Sequence, residues 1–116
     1  MEIQNKYHCG YAIFEVRGEI TNPRMIDKIE KAVKKEVESG EYDIGLDLHN
    51  AEYINSGLIR YFIGWNKLCT ENNKKFCLIE PSSNALEVLE ITGVTKLVEI
   101  YRTEAEFSRK VRPSSA

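Results

Sequence analysis

Residues 53–62 read Tyr-Ile-Asn-Ser-Gly-Leu-Ile-Arg-Tyr-Phe, and the fold is decided by what stands on either side of them. Before them, Asp43 to Leu48 places Ile44, Leu46 and Leu48 in a short apolar run of the kind that forms a buried strand. After them, Leu58, Tyr61, Phe62, Trp65, Leu68 and Cys69 recur at helical spacing, which predicts a helix from about Ser56 to Asn72 with these residues as its core stripe. Ser56 therefore falls at a strand-to-helix junction, at or beside the first helical turn. Unpaired backbone N–H groups and the positive end of the helix dipole gather there. A serine in such a place commonly caps the helix. The end of a parallel strand is also where α/β folds collect ligands, and a phosphate is accommodated there, on a ligand or on the serine itself.

Outward from the junction, strands and helices alternate. Glu2–His8 and Tyr11–Arg17 are β-like runs separated by Cys9-Gly10, a hairpin signal. Asn22-Pro23 starts a helix, with Asn as N-cap and Pro at the first helical position. Met25, Ile26, Ile29, Val33 and Val37 form its apolar stripe, and Ser39-Gly40 closes it. Lys75–Glu80 reads as a buried strand ended by Pro81. Ser83 or Asn84 should cap a short third helix carrying Leu86, Val88, Leu89 and Ile91, with Gly93 as its terminator. Lys96–Tyr101 is the last predicted strand, and Thr103-x-x-Glu106 is a capping box for a short fourth helix. The order ββαβαβαβα implies an α/β fold: a mixed, mostly parallel sheet with right-handed crossovers, an N-terminal β-hairpin and about four helices. Residues 1–110 are expected to form a single domain, and residues 111–116, with Pro113 and two serines, a disordered tail.

Composition narrows the function classes. The chain has 116 residues, 42% apolar and 29% charged, enough to build a core without disulfides or metal. Sixteen basic and 18 acidic residues give a net charge of −2, so no basic field is available for gripping nucleic acid. Cys9, Cys69 and Cys77 show no CxxC spacing, and His8 and His49 are far apart, so neither a zinc site nor a disulfide framework is supported. Cys69 and Cys77 read as small buried hydrophobes. Met1–His8 does not resemble a signal peptide, and no apolar run approaches the roughly 20 residues that span a bilayer. These features point to a reduced, cytoplasmic protein that needs no membrane and no cofactor.

Enzyme chemistry finds little purchase. His49 is the only histidine near Ser56 in sequence, and a Ser56–His49 dyad competes with the commoner surface histidine at a strand end. Gly-x-Ser-x-Gly and the Gly-rich nucleotide motifs are absent. A phosphoaspartate receiver would need clustered carboxylates around a magnesium ion, and Asp47 has no neighbouring acidic pair.

The chain resembles the STAS domain family, shared by sulfate transporters and anti-sigma factor antagonists. Val16-Arg17-Gly18-Glu19-Ile20 is similar to the family's strand ending in Gly-Glu-Leu-Asp. Leu46-Asp47-Leu48 followed by Tyr53-Ile54-Asn55-Ser56-Gly57-Leu58 resembles its central strand and Phe-Met-Asp-Ser-Ser-Gly-Leu loop. Phe76–Ile79, Leu89–Val94 and Ile100–Glu106 resemble its later strand, its Leu-x-x-x-Gly-Leu helix end and its closing segment. The resemblance implies a non-enzymatic binding module whose partner is an anti-sigma factor that is also a serine kinase. In bacterial members, the first serine of Asp-Ser-Ser-Gly is phosphorylated by that partner, which breaks the complex. An ungapped alignment puts Ser56 on that serine, Asn55 on the aspartate, Gly57 on the second serine and Leu58 on the glycine, and keeps Gly64 in register with a later glycine. A one-residue gap would instead put Ser56 on the second serine and keep Gly57 on the glycine. Thr21 stands where the family's Gly-Glu-Leu-Asp has aspartate.

By this resemblance Ser56 is the phosphoacceptor. Its partner-binding surroundings are Asn55 and Gly57 beside it, Arg60 one turn on, and Thr21, Asn22 and Arg24 from the loop after the second strand. Ile59 and Ile63 lie on the helix flank, open to either packing or partner contact. Two alternatives stay in view: a STAS domain that docks in a sensory assembly without phosphorylation, and a domain that binds a small molecule or, weakly, a nucleotide at the same helix N-terminus. The oligomeric state is not legible.

Overall fold

A computed structural model of the chain describes residues 2–19, 22–52, 54 and 56–111, with the side chains of Glu2, Glu19, Glu52 and Ser56 outside the description. Strand β1 (Glu2–His8) turns back into β2 (Tyr11–Glu19) through Cys9 and Gly10, whose φ values of 50° and 83° are those of a two-residue hairpin turn. Helix α1 (Pro23–Ser39) follows, then β3 (Asp43–Asp47), β4 (Ala51–Glu52), α2 (Ser56–Glu71), β5 (Phe76–Ile79), α3 (Ser83–Ile91), β6 (Glu99–Tyr101) and α4 (Glu104–Val111). The sheet order is β1-β2-β3-β5-β6, with β1 antiparallel to β2 and the remaining neighbours parallel. The α/β architecture expected from the alternation is therefore present.

Several details differ from the sequence reading. The two-residue β4 pairs in parallel with the end of β2, through Gly18 with Ala51 and Glu19 with Glu52. It is too short to carry a periodic signal. Helix α3 is capped by Ser82, whose side chain accepts from the Ala85 N–H at 3.1 Å, and neither Ser83 nor Asn84 is its cap. A 3-10 turn at Val94–Lys96 takes the start of the expected last strand, which begins only at Glu99. Val111 is the last residue of α4, whereas the sequence placed it in the tail; residues 112–116 lie outside the described residues.

Strand alternation divides the core in two. Ala12, Phe14 and Val16 of β2, Ile44 and Leu46 of β3, and Phe76 and Leu78 of β5 face α1 and α2. Met25, Ile29, Val33 and Val37 of α1 and Leu58, Phe62, Trp65 and Cys69 of α2 fill that layer. The other face packs Tyr11, Ile13, Cys77, Ile79 and Tyr101 under Phe107 of α4. The Phe107 ring meets those of Tyr11 and Tyr101 edge-on, at centroid distances of 5.1 and 5.4 Å. Gly45 lies between these residues because space is short: a Cβ there would come within 3.1 Å of Ile79 Cδ1. Strand β1 forms one rim of the sheet, with Gln4, Asn5 and Lys6 exposed. Among the described residues, no helix is long and apolar enough to cross a membrane.

Candidate functional site

The start of α2 is fixed from below and from the side. Leu48, buried just after β3, donates its N–H to the Ile79 carbonyl at 2.8 Å. The chain then turns, with the Ala51 N–H donating to the Leu48 carbonyl at 3.0 Å and the Gly18 N–H to the Asn50 carbonyl at 3.2 Å. Ile54 packs against the core, and Leu58 and Ile59 anchor the first helical turn in it. The positive end of α2 therefore opens beyond the carboxyl ends of β2 and β3, the usual position for a ligand in such a sheet. The first turn of α2 holds no acidic side chain to neutralise it.

The sequence-predicted residues fare differently. Ser56 is the first residue of α2. Gly57 and Arg60 are exposed one turn or less away. Ile59 is only 6% exposed and belongs to the core, so of its two sequence readings the structure shows packing. Ile63 is 37% exposed on the flank. Tyr61, assigned to the core stripe by spacing, is 41% exposed and leans toward Trp65 at a centroid distance of 5.9 Å. Tyr61, Arg60, Gly64 and Lys67 line a groove of about 500 Å³ shared with Glu30 and Lys34 of α1. Asn22 is occupied as the α1 N-cap: its Oδ1 accepts from the Arg24 N–H at 2.9 Å. The pairing of β4 with β2 sets Gly18 beside Ala51 and Glu19 beside Glu52. Thr21 and Asn55 lie outside the described residues.

A polar cluster beside this junction went unread in the sequence. Asp47 is 1% exposed, the single buried charged side chain among the described residues. Its Oδ1 accepts from the His49 backbone N–H at 3.1 Å and pairs with His49 Nδ1 at 2.8 Å. Asn50 Nδ2 donates to His49 Nε2 at 2.9 Å. Glu15 stands directly across from Asp47 in the β2–β3 register, and its Oε1 accepts from Arg17 Nε at 2.8 Å. The sequence reading found no acidic pair neighbouring Asp47; strand pairing supplies one carboxylate, Glu15. Glu15, Asp47 and His49 offer ligand atoms within 4.8 Å of one another, the only such trio among the described residues. Each, however, is already engaged: Glu15 by Arg17, and Asp47 and His49 by each other. The hydrogen bond to Asp47 raises the His49 pKa above its ordinary value, and that from Arg17 lowers that of Glu15. His49 is thus held between Asp47 and Asn50 at the end of β3.

Fold and junction define a class, and the chain belongs to it: the STAS domain family, whose profile matches residues 1–107. Among curated relatives, an anti-sigma-B factor antagonist of Staphylococcus epidermidis is 23% identical over 107 residues, covering 91% of this chain and 98% of the relative. Among solved structures, the Thermotoga maritima protein TM1081 superposes with a TM-score of 0.79 at 24% identity, covering 98% of this chain and 91% of that one. The anti-sigma factor antagonist SpoIIAA of Bacillus superposes in its unphosphorylated form with a TM-score of 0.77 at 16% identity, covering 96% of each chain. Its phosphorylated form gives 0.73 at the same identity, covering 96% of this chain and all of the other.

Proposed function

We propose that this chain is an anti-sigma factor antagonist-type switch: a non-enzymatic module that binds an anti-sigma factor with serine kinase activity and is released when Ser56 is phosphorylated. The observation that carries the reading is the position of Ser56, first residue of α2, in a first turn without acidic side chains at the positive end of that helix in a STAS fold. A phosphate brings a charge of about −1.5 to −2, which the helix dipole tolerates, so the fold should persist. SpoIIAA keeps its fold in both phosphorylation states, which supports this expectation. The effect then falls on the partner interface, where the new charge must be desolvated or repelled. Arg60, Gly57 and Ile63 would border the contact from α2, and Asn22, Thr21 and Asn55 from the adjoining loops. In this reading the module works in the cytoplasm, without cofactor or nucleic acid.

Capture of the partner by wild type, Ser56→Ala and Ser56→Asp tests the switch. Ala should retain the partner, and Asp should weaken binding by more than about tenfold. Intact mass after incubation with ATP and candidate serine kinases should show one added phosphate on Ser56; phosphate elsewhere, or none, would sink the switch. Asn55 and Gly57, which replace the family's aspartate and second serine, favour one other reading: a docking module that is never phosphorylated. It predicts equal binding by all three proteins. Calorimetric titration with a nucleotide would reveal a ligand site at the same helix end.

A further inference from the structure

We propose that His49 and Asn50 are positioning residues for β4 and its pairing with β2, and that one proton on the His49 imidazole resets them. The relevance to Ser56 rests on the switch reading above; the device itself does not.

The hydrogen-bond chain fixes a proton inventory. Asp47 Oδ1 accepts from His49 Nδ1, so Nδ1 carries a hydrogen. An amide nitrogen only donates, so His49 Nε2 accepts from Asn50 Nδ2, and the imidazole in this arrangement is neutral. The Asn50 amide also contributes to lowering the Glu15 pKa, so this side chain stands between imidazole and carboxylate. Its backbone carbonyl receives the Gly18 N–H, next to the pairing of β4 with β2. Asn50 thus joins the buried end of β3 to the strand that leads into α2.

A second proton must go to Nε2, where an N–H would face the N–H of Asn50. The amide then has to rotate and present Oδ1. Otherwise Nε2–H turns to another acceptor and displaces the amide. In both cases the Asn50 N–H leaves the imidazole. The charged groups around the imidazole favour the added proton on balance: Asp47 from β3, Glu15 from β2 and Glu80 beyond β5 attract it. Burial of the ring acts against it. The nearby cations are paired with carboxylates, Arg17 of β2 with Glu15 and Lys6 of β1 with Glu104 of α4. A histidine so placed changes charge near neutral pH.

The test is a pH titration of the isotopically labelled full chain by NMR, with His8 as internal comparison. The His49 ring should titrate with a midpoint above 6.5, and the backbone amides of Gly18, Ala51 and Gly57 should move with that same midpoint. In His49→Gln these amide shifts should vanish, and in Asp47→Asn the His49 midpoint should fall. If the amides of Gly18 and Ala51 stay flat through the His49 titration, or still titrate in His49→Gln, the proposal is overturned. No kinase enters this experiment, so failure of the Ser56 reading and failure of this one are separable.

Discussion

At the residue scale, His49 carries a consequence for stability as well as position. Its pKa in the folded chain lies above the ordinary 6.5, chiefly because of the hydrogen bond to Asp47. The protonated pair therefore contributes its full stabilisation below the unfolded-state value and loses it as pH rises through the folded-state value. Urea unfolding of wild type and His49→Gln across the histidine titration range should show the wild-type advantage largest at acidic pH and shrinking toward alkaline pH. A constant difference would mean that the pair is not proton-linked. The sequence hid this pair for a physical reason. Alternation assigns Glu15 and Asp47 to particular faces, but only the register of β2 on β3 sets them opposite each other. Ile59 and Tyr61 make the same point on α2. Helical spacing alone gives Tyr61 to the core and leaves Ile59 open, whereas the tilt of the helix on the sheet buries Ile59 and exposes Tyr61.

At the element scale, the helices end where their caps put them. Asn22 holds the first turn of α1, so Asn22→Ala should cost about 1 kcal/mol in denaturant unfolding. If Asn22 acts solely as a cap, partner binding by the variant should be unchanged once folded protein is matched, which separates its capping role from its proposed contact role. Helix α4 depends on one ring. Phe107 is fully buried between Tyr11 and Tyr101, and Phe107→Ala should cost about 3–5 kcal/mol, read as a lowered urea midpoint. The threonine of the box that announced α4 does cap it: Thr103 Oγ1 accepts from the Glu106 N–H at 3.0 Å. The cap of α3 slipped by one residue because three candidate cap residues stand in a row, Ser82, Ser83 and Asn84, and backbone geometry selects Ser82. Strand β4 offered no periodicity, yet it sets the approach to Ser56. The fold was thus legible from its long amphipathic elements, while the part of the site made by short pairings was not.

At the scale of the whole molecule, the two faces of the sheet differ in cover, α1 and α2 on one and α4 on the other, and each holds a buried thiol. Burial pushes the Cys69 thiol up to about 12, and Cys77 is raised further. A thiol reagent at mildly alkaline pH should therefore modify Cys9 alone in the native chain and all three cysteines in denaturant. Rapid labelling of a second thiol without denaturant would contradict the core as described. The rim strand β1 has a different outcome in store. A sheet that ends on an uncovered strand offers a template on which further chains can add and grow into fibrils. Here the template bears Gln4, Asn5 and Lys6, with Lys6 drawn toward Glu104 at 2.8 Å, and its exposed aromatic, Tyr7, donates its hydroxyl to Glu36 at 3.0 Å. An arriving strand finds amide and ammonium groups where it would need a dry apolar seam, so crowding the protein to high concentration should not polymerise it through this rim.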